Sequence, residues 1–376
     1  MPNPSPGATT GQAEISILIG ANRSTSGVLS GGQELKGWSG LTVSLGLDRC
    51  SNAFSFSVPF SEKNKEIFKP YKTPVCEIKV TANGRPVGIK SDGTILTGYV
   101  EKTSFSSQSS GKTINIEGRS ASGVLDDYSA GPPFQHWNLT FNQFSTAMYR
   151  NLYPQATQGV SFATPDTQPL GEISIDIGES AYSALSKLAS AQGLYSFPDP
   201  GGRLEFKKIN TSGSMATLDE ENPVLDTIES SFDVTKRFWQ YMAIGTYQGN
   251  PNAQSSINDY ESFFPAIRGR KIEQISKESA NISQAANFIY SRSILDSFFV
   301  ALAVDGWHYK GKLWQPGEMI TLTAPGCYIE KPTRLLITEA TFSIDESSGQ
   351  KTSLSVCLPS AFDGSTPSEK ELPWVF

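Results

Sequence analysis

Short runs in which apolar and polar residues alternate dominate the first third of the chain. Phe54, Phe56 and Val58 alternate with Ser55 and Ser57, the period-two pattern of a strand with one buried face. Runs of the same kind occur at 15–19 (ISILI), 41–47 (LTVSLGL), 76–80 (CEIKV), 95–106 (ILTGYVEKTSFS) and 113–118 (TINIEG). The Asn-Gly of ANGR at 82–85 is the dipeptide that a type I′ hairpin turn prefers. Six short strands at this spacing predict a barrel or sandwich over 13–125.

The pattern changes at 126–215, which predicts a small α+β insert. Helices are expected over 141–153 and 179–193; in the second, Ala181, Leu185, Leu188 and Ala189 share one face and Gly193 stands where a left-handed C-cap is wanted. LYSFPDPGGRLEF at 194–206 predicts two strands about a Pro/Gly turn. Alternation returns over 216–365, a second β module interrupted by a polar stretch at 248–260, expected as an exposed loop, and by a helix at 277–297 carrying Ile282, Ala286, Ile289 and Leu295. Residues 1–12 and the polar tail 366–376 are expected to be disordered, with Trp374 and Phe376 as anchors for a partner. The expected fold class is therefore mainly β: two related tube-type β-barrel modules and a small α+β domain.

The two modules share a local motif. TSFSSQSSGKTINI at 103–116 and ATFSIDESSGQKTSLSV at 340–356 each lead from a strand with Phe-Ser, through Ser-Ser-Gly and Lys-Thr, into a second alternating strand. Phe105 then answers Phe342, and Gly111 answers Gly349, an internal duplication of long period. The same comparison disposes of a nucleotide site at SSGKT (109–113). A phosphate-binding loop needs a glycine five residues before Gly111, where Ser106 stands, and its Lys must open a helix, whereas Lys112 leads into a strand pattern.

Composition narrows the function. Thirty-one Lys and Arg stand against 37 Asp and Glu, a formal charge of −6, so no global basic field attracts nucleic acid or an anionic membrane. No apolar run approaches the roughly 20 residues that span a bilayer, and the first residues show neither the basic nor the apolar region of a secretory signal, so folding in a cytosol is expected. Cys50, Cys76, Cys327 and Cys357 are widely spaced and expected to be reduced thiols. The two histidines, His136 and His308, each sit beside a Trp and lack metal-ligand spacing. Acid pairs at 125–127 (LDD) and 218–222 (LDEEN) have the composition of a glycosidase pair but the context of solvated turns. RGRK at 268–271 is too short for a nucleic-acid site. No catalytic, cofactor-binding or metal-binding residue is assigned, and no enzyme activity is expected.

GWHYKGKLWQPGEMITLTAPG at 306–326, followed by LLITEATFSIDESSGQKTSLSVCLPSAF at 335–362, resembles the baseplate hub proteins of contractile-tailed phages, of the Mu-like tail hub and late-control D type. The resemblance rests on Gly311, Leu313, Trp314, Pro316, Gly317, Pro325, Gly349, Thr352 and the closing PSAF, with the helix-then-strand-pair of 183–206 matching the family order. It implies a homotrimer. Two modules in each of three copies would form a pseudo-six-fold ring joining a hexameric tail tube to a trimeric central spike. It further implies other baseplate proteins and a tape-measure protein as partners, no membrane, DNA only as cargo through a lumen, and a place in the virion tail after assembly in the host cytoplasm. Of a different class is a carbohydrate-binding or carbohydrate-degrading β protein of a phage tail, suggested by the aromatic content and acidic pairs.

Overall fold

The computed structural model describes residues 13–20, 22–23, 29–30, 32–109, 111–152, 162–163, 169–190, 192–247, 250–259, 269–274, 282–345, 349–363 and 372–373. The expected disorder at 1–12 and at 366–376, and the anchors Trp374 and Phe376, fall on residues outside this set, apart from 372–373. The fold is mainly β.

The first module supplies β1 (Glu14–Gly20), β2 (Ser39–Gly46), β3 (Ala53–Pro59), β4 (Val75–Ala82), β5 (Thr94–Gln108) and β6 (Gly111–Ser120). They lie in the spatial order β2-β3-β6-β5-β4-β1, all antiparallel. Alternation decides the faces: Phe54, Phe56 and Val58 are buried, as are Ile114 and Ile116 opposite them. At the expected hairpin, Asn83 and Gly84 adopt φ of 52° and 70°, the two left-handed residues of a type I′ turn.

The insert follows with α1 (Phe141–Leu152), α2 (Ala181–Ser190) and a hairpin of β7 (Tyr195–Pro198) and β8 (Leu204–Lys207). It has its own apolar cluster, in which Phe141, Phe144, Leu185, Leu204 and Phe206 are buried. Gly193 ends α2 with φ of 67°, as its position predicts.

The second module comprises β9 (Ala216–Asp219), β10 (Leu225–Phe232), β11 (Gln240–Tyr247), β12 (Asn250–Asn258), β13 (Arg270–Gln274), α3 (Ile282–Ser297), β14 (Phe298–Asp305), β15 (Met319–Ala324), β16 (Ile329–Asp345) and β17 (Gly349–Cys357). Here the loop expected at 248–260 is corrected. Asn250–Asn258 is a strand, antiparallel to β11, which is flanked on its other side by parallel β13. This hairpin is held by main-chain pairing, and NPNAQSSIN itself is too polar to show an apolar alternation. Helix α3 is described from Ile282 onward, and 277–281 lies outside the described residues. Its buried stripe runs Ala286, Ile289, Tyr290, Ile294, with Tyr241 Oη hydrogen-bonded to Ser293 Oγ at 2.7 Å.

The duplication is visible in strand registry. In the hairpin of β5 and β6, Gln108 faces Gly111, Phe105 faces Ile114, and the register slips by one residue at Glu101. In the hairpin of β16 and β17, Asp345 faces Gly349, Phe342 faces Thr352, and the register slips at Thr338. From each closing pair, the Phe is three residues back and the bulge seven. Flanking strands agree: Val58 opposite Ile114 corresponds to Val304 opposite Thr352, and Val75 opposite Tyr99 to Met319 opposite Leu336. Gly111 and Gly349 coincide, with φ of 153° and 71°. The shared Lys-Thr does not: Lys112 corresponds to Gln350, one residue away from Lys351, because Gln350 stands between Gly349 and Lys351. The outermost strands diverge too, β1 antiparallel to β4 but β9 parallel to β15.

Candidate assembly interface

Within the chain the modules meet edge to edge. The distal half of β16 pairs with β2, Glu339 opposite Gly46, Phe342 opposite Val43 and Ile344 opposite Leu41, which makes one fourteen-stranded sheet of both modules. Leu47 N–H donates to Thr338 O at 2.9 Å, so the carbonyl at the β-bulge is used by the junction. Phe342 is fully buried there, its ring 5.2 Å from that of Trp307, whose Nε1–H donates to Ser343 O at 2.9 Å. On the outer face Glu339 accepts from Ser44 Oγ at 2.8 Å and lies 3.4 Å from the Arg49 guanidinium. Arg292 of α3 forms an ion pair with Asp48 just beyond β2.

Registry maps this junction onto two edges. The distal half of β5, residues 102–107, corresponds to residues 339–344 of β16. Strand β10 corresponds to β2, since Val43 faces Phe54 while Ser230 faces Val300, and Phe54 and Val300 are equivalent. Among the described residues, β10 pairs with β14 alone, and this half of β5 with β6 alone. Each edge carries core-face aromatics that its own chain leaves half covered: Phe105 is 44% exposed and Phe232 42%.

The residues singled out by chemistry are placed elsewhere and are not brought together. Lys112 lies on β6 with its ammonium 5.9 Å from the Phe60 ring centre, and its carbonyl accepts from Phe60 N–H at 3.0 Å. His136 packs edge-on to Phe144 at 5.2 Å, whereas His308 is buried in the second module. Asp127 is tied to Arg119, Asp126 accepts from Ser180 Oγ at 3.3 Å, and Glu220 accepts from Gly326 N–H at 3.0 Å, so both acid pairs serve as structural contacts. Arg119 also holds Glu101 at 2.6 Å, and these hydrogen bonds raise its pKa further. Among the described residues no group of three His, Cys, Asp or Glu could hold a metal ion, and no helix is long and apolar enough to cross a membrane.

Trp314 is fully buried, and Gly317, with φ of 93°, turns the chain against Phe197, whose ring lies 3.2 Å from where a Cβ would stand. Both residues of the 311–317 turn are packing residues. Cys50, Cys76 and Cys357 are buried free thiols and Cys327 is half-buried. Burial pushes the Cys50 thiol up to about 12 and those of Cys76 and Cys357 further. Sequence patterning missed the place of β10 at the end of the strand order: Phe232 in ESSFDV shows only as a strand residue, and among the described residues β10 pairs with β14 alone.

The doubled β module with an α+β insert has known counterparts. Residues 27–120 match the family of the N-terminal part of Mu phage baseplate assembly protein GpP-like. Baseplate hub protein gp44 of Escherichia phage Mu is 24% identical over 352 residues, 88% of this chain and 87% of its own. The chain resembles Mu-type baseplate hub proteins. A tail protein of Neisseria meningitidis MC58 superposes with a TM-score of 0.74 at 18% identity, covering 93% of this chain and 98% of that one. The 43 kDa tail protein of prophage MuSo2 from Shewanella oneidensis gives 0.74 at 20% identity, covering 94% and 100%. These likenesses establish the phage tail fold, and the hub resemblance spans the doubled module and the insert alike.

Proposed function

We propose that the chain is a structural baseplate hub of a contractile phage-type tail. Three copies form a ring whose six β modules match a hexameric tail tube on one side, while the three-fold symmetry of the whole matches a trimeric central spike on the other. The observation that carries this is the duplicated six-strand path. A six-fold contact surface can be built from three chains only if each chain supplies two equivalent modules, and here the equivalence extends to a β-bulge seven residues before each hairpin's closing pair.

The working chemistry of such a hub is strand-edge pairing and apolar burial, with no catalytic group required. Other baseplate proteins and a tape-measure protein bind the assembled ring, DNA passes through its lumen, and the protein resides in the virion tail after assembly in the host cytoplasm. Class averages from electron microscopy of the purified assembly test this: six similar lobes around a lumen, with three-fold symmetry, are expected. A particle lacking a central ring, together with glycan cleavage or binding by the monomer, would contradict it.

A further inference from the structure

In the junction inside the chain, Phe342 of β16 lies opposite Val43 of β2. Phe105 is equivalent to Phe342 and Ser230 to Val43, so a ring that repeats this arrangement brings Phe105 of one copy toward Ser230 of the next. The place beside β10 is already taken. Ser230 Oγ donates to Cys327 O at 2.8 Å, and Cys327 Sγ lies 3.5 Å from Ile228 O. Phe232 packs on Phe298 with ring centres 5.0 Å apart, and Asp233 N–H donates to Ser297 O at 2.7 Å. The turn Pro325–Cys327, followed by Tyr328, thus stands beside β10 where β16 stands beside β2.

An approaching β5–β6 hairpin therefore meets a turn in place of a strand. We propose that Phe105 of one copy packs against Tyr328 of a second copy, a side-chain contact that replaces the strand pairing of the in-chain junction. This rests on the trimeric-hub reading and assigns its contact between copies. Tyr328 is 61% exposed, and its N–H donates to Pro325 O at 3.1 Å, which fixes the backbone that carries the ring. Its φ of 58° is a left-handed value that Gly or Asn adopts most easily, so the turn itself does not call for an aromatic side chain.

Phe105 is the matching half. It shares the core face with buried Ile114 opposite it, and among the described residues its stretch of β5, residues 102–107, pairs with β6 alone. Two rings brought together in an offset or edge-on arrangement each lose water-exposed apolar surface. Charge agrees with this pairing of surfaces. Lys112, two residues before Ile114 on the same face of β6, and Lys65 both place their ammonium groups 5.9 Å from the Phe60 ring centre, and both residues are exposed. Around Tyr328 the exposed residues Glu220, which accepts from Gly326 N–H at 3.0 Å, and Glu229, next to Ile228, are acidic. A basic rim on one side and an acidic rim on the other favour this approach over the meeting of like surfaces. Each copy has one Phe105 and one Tyr328, in different modules, so the contact is head-to-tail and propagates in one direction until it closes into a ring.

The full-length chain carrying the photo-reactive p-benzoylphenylalanine in place of Phe105 is expected, on irradiation, to give covalent dimers and trimers whose attachment maps by mass spectrometry to the peptide containing Tyr328. Sedimentation velocity supplies a second measurement. Phe105→Ser and Tyr328→Asn, the latter chosen because Asn tolerates a left-handed φ, should each raise the concentration at which the trimer dissociates by about tenfold. Together they should raise it little further than either alone, because one contact is lost only once. A trimer by native mass whose photoproduct maps elsewhere or does not form, or in which the two substitutions are additive or without effect, overturns the contact and leaves the hub reading standing. A protein monomeric at all concentrations overturns both.

Discussion

Phe105 and Phe342 occupy the same place in two hairpins of one chain, three residues before the closing pair, yet one is 44% exposed and the other fully buried. The difference lies in what stands beside them. Phe342 has β2 and the Trp307 ring, whereas among the described residues the strand around Phe105 pairs with β6 alone. The hairpin register around each is the same, so the difference in exposure follows from the neighbouring strand and the Trp307 ring.

Truncating the two rings therefore has unequal effects. Phe342→Ala leaves a cavity in the core and is expected to lower unfolding stability by about 3–5 kcal/mol. Phe105→Ser touches a half-exposed ring and changes the stability of the chain by about 0.5 kcal/mol or less. Chemical denaturation of the two variants measures the difference.

Equivalent positions exchange volume. Phe54 opposite Gly118 in the first module corresponds to Val300 opposite Val356 in the second, a large-small pair in place of two of middle size. A Cβ on Gly118 would lie 2.3 Å from the Phe54 ring and 2.2 Å from Tyr99 O. Gly118→Ala is expected to cost about 2–3 kcal/mol by overpacking. Adding Phe54→Val should recover only part, since the carbonyl stays in place; a denaturation double-mutant cycle gives the coupling, and full additivity would contradict the contact.

The insert holds a pH-sensitive contact. Burial alone would raise the pKa of Glu179, but hydrogen bonds from Lys187 at 2.7 Å, Ser183 Oγ at 2.7 Å and Asp176 N–H at 3.2 Å outweigh it and lower the value. A depressed carboxylate stabilises the fold above its unfolded pKa, and that contribution disappears as pH falls through the folded one. Glu179→Gln should therefore be less stable than the parent at pH 7, by about 1–2 kcal/mol for a charge-assisted contact. The gap should close as pH falls below the ordinary glutamate range of about 4, as thermal melts at successive pH values would record. A gap that widens in acid would contradict this.

Thiol labelling reports the second module's turn. Cys50, Cys76 and Cys357 are buried with raised pKa values, while Cys327 is half-buried. One equivalent of a thiol reagent is expected to react quickly with native protein, at Cys327 by peptide mapping, and three more only on unfolding. Four fast thiols would contradict the packing.

Much of the fold was legible in the chain because it is written in period two: Phe54, Phe56 and Val58 declare a strand whatever surrounds them. Gly193 and Asn83 were legible through the positive φ that their turns require. Asn250–Asn258 was not, because a polar strand on a solvated hairpin leaves no apolar rhythm. The paired motifs located the duplication, but the Lys-Thr match is one residue out of register, because Gln350 stands between Gly349 and Lys351. The end of the strand order was half legible: Phe105 stood out by its likeness to Phe342, while Phe232 looks like any strand residue.

The mass of the native particle tests the central claim most directly. The 40.7 kDa chain, purified without denaturant and weighed by native mass spectrometry or light scattering, is expected as a species of three copies, about 122 kDa, by head-to-tail closure. A particle that remains at the mass of one chain at every concentration, or that closes at two or four copies, would contradict the account.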